Sequence, residues 1–317
     1  MWAPACIPPA GILARLSRRR PISLADNLLQ VERGTHPPAP PLLGQGTVMR
    51  LSNDLPGELS QLDVVQCAAL SPLTLADARQ TQRLAQTIVT ERVLRHPLLV
   101  TPLSDRLAVL DGNLRLEAAI QLGIPDLLVQ RIPVSAISDP LQLPALAVLG
   151  VGQEEILRVI EPSFTRGVPV TADTLNLYLA AGTRHSLPPG VPDEEVWAAF
   201  RRMVTALRSV ADVVPLVACP DRGMLTFWPS GASAVLVPPV LTRDVLRKLA
   251  QDGVQLPWGS LQVPFPKRIL GINLSLDILR AREPASEKGT FVRELVRLRL
   301  SERRIHYYDA PVYIVED

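Results

Sequence analysis

Regular alternation of apolar and polar positions starts at about residue 59. A short apolar run, Leu62–Ala69, stops at Ser71-Pro72, and a polar amphipathic stretch follows over Ala76–Val93, where Leu84, Ala85, Ile88 and Arg92 recur at helical spacing. This predicts strand, turn and helix. The segments Pro97–Pro102 and Arg106–Leu110 are each apolar and bounded by turn residues, as buried strands are, and together they predict a hairpin. Directly after them, Asp111-Gly112-Asn113-Leu114-Arg115 opens a helix with Leu116, Ala119 and Ile120 on one face, and Gly123 stands where a left-handed residue ends it. A strand over Leu127–Ile132 closes a module of roughly 75 residues.

The second half reads differently. Short helices are predicted over Glu154–Ile160 and Asp173–Ala181, and a long one over Glu194–Val210 with Val196, Phe200, Val204 and Leu207 as its stripe. Val213–Cys219, Met224–Trp228 and Ala234–Val237 are separated by Pro-Asp-Arg-Gly and Pro-Ser-Gly turns and predict an antiparallel meander. A helix over Arg243–Gln251 with Thr242 as N-cap, a strand over Leu270–Leu274, a helix over Thr290–Arg303 and an edge or bulged strand over His306–Val315, interrupted by Pro311, complete the pattern. The expected fold class is α/β, with a first domain at 59–135 and an α+β domain at 136–317.

Residues 1–58 lack this periodicity. Eight of the 31 prolines fall within the first 50 residues, including Pro37, Pro38, Pro40 and Pro41, so a disordered Pro/Arg-rich extension is expected; Met49 is an alternative start. Six arginines against Asp26 and Glu32 give residues 1–50 a charge of +4, so the overall +2 leaves −2 on residues 51–317. A slightly acidic body argues against a broad nucleic-acid footprint. No apolar run approaches the roughly 18 residues that span a bilayer, and the N-terminus has no signal-peptide pattern, so a cytoplasmic protein is expected. Cys6, Cys67 and Cys219 lie too far apart for a local redox pair or zinc spacing. Nothing in the pattern specifies an oligomeric state.

The candidate chemistry sits at the turn between strand and helix. An Asp-Gly-x-x-Arg sequence there presents backbone N–H groups at the positive end of a helix dipole, and Arg115 offers a fork suited to phosphate oxygens. The alternative is a glycine turn with Arg115 solvated. The stretch Leu94–Thr101, the following Ala108–Ala118 and the Leu122-Gly123 stop resemble the nucleotide-binding domain shared by ParB proteins, sulfiredoxins and free-serine kinases of siderophore biosynthesis. The similarity to the kinases extends through Glu194–Cys219, Arg268–Leu279 and Pro311–Glu316, and so covers roughly 62–317.

The resemblance implies a ParB/sulfiredoxin-like domain that binds ADP or ATP with Mg²⁺ and passes a phosphoryl group to free L-serine. An Asp-Gly-x-His-Arg loop would lie at the phosphates, and an upstream glutamate would act as general base. Carried over by residue, Asp111, Gly112, Asn113, Leu114, Arg115 and His96 are the nucleotide and phosphate candidates. Asp111 is the candidate magnesium ligand, and Arg268 the candidate for a substrate carboxylate. His96 has a structural role at the start of a strand as its alternative, and Arg268 a solvated edge position.

Four departures matter. Asn113 stands where sulfiredoxin has its reactive cysteine, and no helix-turn-helix is evident around 150–185, which disfavours a DNA-associated ParB relative. Leu114 replaces the kinase histidine, and Leu70-Ser71-Pro72-Leu73-Thr74, where the glutamate is expected, holds no carboxylate. Asp77 is the candidate substitute base, with an acid of the first helical turn as its alternative. Since losing a general base removes about 10²–10⁴-fold in rate, the reading is a catalytically degenerate relative of the kinases, with a non-catalytic nucleotide-binding regulator as the alternative. Trp197 and Trp258 are expected to be anchors, because nothing basic clusters beside them in sequence.

Overall fold

The structure is a computed structural model and describes residues 57–103, 105–141, 143–160, 164–166, 174–216, 228–263, 265 and 267–305. The extension to residue 56, Cys6, Cys219, the Met224–Trp228 segment apart from Trp228, and the terminal strand expected at His306–Val315 lie outside them.

Two sheets organise an α/β fold. The first contains β1 (Leu62–Gln66), β2 (Leu70–Pro72), β4 (Leu98–Pro102), β5 (Leu107–Asp111) and β6 (Asp126–Arg131), in the order β1-β6-β4-β5-β2. The expected hairpin is the antiparallel β4–β5 pair, while β4 runs parallel to β6 and β2 parallel to β5. The strands read as continuous apolar runs because both faces of this sheet are covered. Leu98, Val100 and Val109 enter one core, whereas the alternating Leu99, Ala108 and Leu110 enter the other.

Helices α1 (Ala78–Glu91) and α2 (Asn113–Gln121) cover the first of those faces. Leu122 is the C-cap of α2 and Gly123, at φ +62°, follows it; the amides of Ile124 and Gly123 donate to the carbonyls of Ala119 and Ile120. This is the Schellman ending that glycine permits.

The second sheet is antiparallel throughout. It contains β7 (Leu146–Leu149), β8 (Thr165–Arg166), β9 (Asn176–Leu179), β10 (Arg184–Ser186), β11 (Asp212–Pro215) and β12 (Ala232–Val237), ordered β11-β7-β12-β9-β10-β8. Two expectations change here. The helix expected at Asp173–Ala181 is replaced in its described part by strand β9, which with Leu175 sends Leu177 and Leu179 into the core at period two while Asn176 is buried with its side chain hydrogen-bonded. The meander also departs from a simple succession: β7 occupies the place between β11 and β12, and the expected middle segment lies outside the described residues apart from Trp228. Helices α3 (Gln153–Val159), α4 (Asp193–Val210) and α5 (Arg243–Gln251) accompany this sheet. Helix α4 begins with Asp193, Glu194 and Glu195 against its dipole and buries the expected stripe; α5 has Thr242 as N-cap, accepting from Val245.

The chain then returns to the first sheet. Strand β13 (Leu274–Ser275) pairs with β3 (Val93–Leu94), and α6 (Leu276–Arg280) and α7 (Ala285–Ser301) follow. The strand expected over Leu270–Leu274 is thus only two residues long, because Gly271 and Asn273 have positive φ and interrupt the extended backbone. Ile272, Leu274, Ile278, Phe291, Val292 and Val296 join Leu62, Val64, Leu98 and Val129 in one core. Residues far beyond position 135 therefore complete the packing of the first sheet. Among the described residues, no helix is long and apolar enough to cross a membrane.

Candidate functional site

Strand β5 ends at Asp111 and helix α2 starts two residues later, leaving Gly112 to make the turn at φ +99°. A Cβ there would lie 2.9 Å from Leu98 Cγ and 3.1 Å from the Arg115 guanidinium, so glycine is required by both backbone and space. No side chain caps α2, which leaves its first-turn amides at the positive end of the dipole.

Asn113 faces inward. It is buried, accepting from the Leu73 amide (3.1 Å) and donating to the Val109 carbonyl (3.2 Å), and so ties the end of β2 to the start of α2. Arg115 also turns inward: Nη1 donates to the carbonyls of His96 (3.0 Å) and Pro97 (2.9 Å), and Nη2 donates to Asp111 Oδ2 (3.0 Å). Its fork braces the entrance to β4, a role the sequence pattern did not suggest.

Asp111 Oδ2 receives a second guanidinium, Arg268 Nη2, at 2.7 Å. Burial alone would raise the Asp111 pKa, but the charges of Arg115 and Arg268 and the hydrogen bonds outweigh it and hold the carboxyl below its ordinary value. With this oxygen committed to two arginines, a divalent cation would face two positive groups. The donor set does not fit a protein-held magnesium, and among the described residues no three His, Cys, Asp or Glu side chains cluster as metal ligands.

Arg268 is positioned by a segment that forms no ladder. Gln130 in β6 is fully buried; its Nε2 donates to the Lys267 carbonyl (2.8 Å) and its Oε1 accepts from the Ile269 amide (3.0 Å). His96 Nδ1 accepts from the Gly271 amide at 3.0 Å. Sequence reasoning missed Gln130, although a lone amide side chain in the otherwise apolar Leu127-Leu128-Val129 run must find buried partners. Arg268 Nη1 is buried and has no hydrogen-bond partner among the described residues, an unusual state for a cationic group.

The remaining candidates lie elsewhere in the local architecture. Asp77 is the N-cap of α1, its carboxylate accepting from the Gln80 amide at 2.8 Å. Leu70 and Leu73, in the segment where a glutamate was expected, are core residues; the Leu75 amide donates to the Leu256 carbonyl and the Leu256 amide to the Leu73 carbonyl. Leu114 is partly exposed on the first turn of α2. Cys67 donates to the Ile124 carbonyl, and burial pushes its thiol up to about 11, which suits a structural role. Trp197 is core, while Trp258 lies under the Arg208 guanidinium at 5.3 Å; that half-buried arginine donates to the Trp258 carbonyl.

No protein-family model matches the chain, and no curated protein matches it. Solved structures do. C-terminally truncated SbnI from Staphylococcus aureus is 17% identical with a TM-score of 0.63, covering 78% of this chain and 99% of that one. A glutamate-to-glutamine variant of a free serine kinase in complex with AMP is 11% identical with a TM-score of 0.57, covering 69% and 94%. A glutamate-to-alanine variant in complex with ADP gives 12%, 0.56, 69% and 94%. At these identities the likeness is one of fold: the chain has the α/β architecture of SbnI and the free serine kinases.

Proposed function

We propose that this protein binds an adenine nucleotide by its phosphates at the start of α2, beside Arg268, and that it phosphorylates free L-serine slowly or not at all. The buried, unpartnered Nη1 of Arg268 next to the uncapped helix start carries the reading. A phosphate seated there would accept from first-turn amides and from Nη1 while Nη2 stays on Asp111. Arg115 would act from behind, holding Asp111 and the His96-Pro97 carbonyls in place. The AMP and ADP complexes of the similar kinases favour adenine nucleotides over CTP.

Proton handling is the missing part. Transfer to a serine hydroxyl needs a group to accept its proton as the new oxygen–phosphorus bond forms. Leu70–Thr74 offers no carboxylate, Leu114 cannot take a proton, and Asp77 is occupied as an N-cap. Binding therefore outlasts turnover, which makes a nucleotide-responsive regulator the favoured form of the reading. Calorimetry with AMP, ADP, ATP and CTP, together with O-phosphoserine formation from free serine and Mg²⁺, tests it. Micromolar to millimolar adenine-nucleotide binding with negligible product is expected; turnover at an ordinary rate of about 1–10³ s⁻¹ refutes degeneracy, and the absence of nucleotide binding refutes the whole reading.

A further inference from the structure

We infer that Gln130 is a positioning residue for the anion site: it sets Arg268 by clamping the backbone on both sides of it. This rests on the reading that Arg268 receives the phosphate ligand. The segment from Lys267 to Gly271 forms no strand with the first sheet, so no ladder fixes its distance from the start of α2. Side chains do this instead. One amide group, fully buried in β6, donates to the carbonyl of residue 267 and accepts from the N–H of residue 269, which fixes the direction of the intervening Cα–Cβ bond. Gln61 supplies a further acceptor for Nε2 at 3.2 Å, so the Gln130 amide itself has little freedom to rotate. Beyond it, the His96 imidazole holds the Gly271 amide.

Residue 130 is remote in sequence from the segment it holds and makes no hydrogen bond to Asp111 or Arg268 itself. Its effect on a ligand must pass through Arg268. A guanidinium is sensitive to such placement, because Nη2 is already committed to Asp111 and the Pro97 carbonyl while Nη1 is left without a partner among the described residues. An apolar side chain of similar length in place of Gln130 would fill the space while releasing the strap, leaving two part-buried main-chain groups without that partner.

The test is a double-mutant cycle on the full chain, read by calorimetry with AMP and ADP. Gln130→Met is expected to weaken nucleotide binding roughly tenfold or more, and to have no further effect when Arg268 is already Ala, since positioning acts only through that side chain. Equal losses in the two backgrounds would overturn the inference, because a merely structural glutamine would lower binding whether or not Arg268 is present. Ile269→Pro is the second variant: it deletes the amide that Gln130 accepts and leaves β6 intact, and it should reproduce the loss if Gln130→Met folds poorly. Hydrogen exchange separates this inference from the functional reading. Faster exchange at Gly271 and Ile269 in Gln130→Met, with no nucleotide bound by wild type, would sink the nucleotide reading alone; unchanged exchange would sink the clamp.

Discussion

Asp111 and Arg268, separated by 157 positions, meet through a 2.7 Å charge-assisted hydrogen bond that joins the end of a central strand to the segment preceding the last two helices. Arg115 reaches the same carboxylate oxygen from four residues away. The two arginines thus share one counter-charge but have different remaining duties, and that difference can be measured.

Arg115→Ala should cost stability more than binding. It strands the His96 carbonyl, leaves Pro97 only its longer bond from Arg268, and removes one bond to Asp111, a loss of about 2–3 kcal/mol from bonds to a charged group. Arg268→Ala should behave in the reverse way, because one of its nitrogens is unsatisfied in the fold. Urea unfolding and nucleotide calorimetry on both variants decide it; a larger loss of stability in Arg268→Ala would contradict the assignment.

The Asp111 carboxyl is held below its ordinary pKa near 3.8, so its folded form favours the ionised state. Its contribution to stability is present above that value and fades as pH falls through the lower folded value. Asp111→Asn should therefore flatten the acid limb of the stability profile below about pH 4 while lowering stability at neutral pH. An unchanged acid limb, measured by thermal unfolding from pH 2 to 7, would show that the arginine pair does not bias this group.

Lys288 is fully buried in α7, with Nζ donating to Asp126 Oδ2 at 2.5 Å and to the Leu279 carbonyl at 3.0 Å. Lys288→Met leaves the Asp126 carboxylate buried without its counter-ion and should cost about 3–5 kcal/mol. Replacing both, as Lys288→Met with Asp126→Leu, should recover most of that loss, because the desolvation cost of the charges disappears with them. Denaturant midpoints of the two variants give the comparison, and equal destabilisation would argue against an uncompensated charge as the cause.

Gly289 of α7 packs directly against β1. A Cβ would stand 2.6 Å from Asp63 Oδ1, an oxygen that accepts from the Val64 amide; the same carboxylate pairs with Arg131 at 2.7 Å. Gly289→Ala alone should be destabilising, since overpacking costs about 1–3 kcal/mol and outweighs the roughly 1 kcal/mol gain in helix propensity. In an Asp63→Ala background the obstacle is gone and the same substitution should stabilise. A change of the same sign in both backgrounds would place the constraint elsewhere.

Much of the frame was legible from residue order alone. Hydrophobic period and turn residues are local properties, so the β4–β5 hairpin, the Gly112 turn, the Gly123 ending of α2 and the buried stripe of α4 could be read before any packing was known. The same locality explains the errors. The local pattern of Asp173–Ala181 favours a helix although Leu175, Leu177 and Leu179 are buried along a strand, and that of Leu270–Leu274 favours a strand although positive φ at Gly271 and Asn273 breaks it. The site was legible in its glycine turn and its uncapped helix but not in its partners. Whether Arg115 points at solvent or at the carbonyls of His96 and Pro97, and whether Gln130 meets an amide 139 positions away, depends on which distant backbone groups the folded core leaves in need of a donor or acceptor. A side chain's chemistry is written in its sequence position, but the partner that satisfies it is chosen by the close packing of the whole chain.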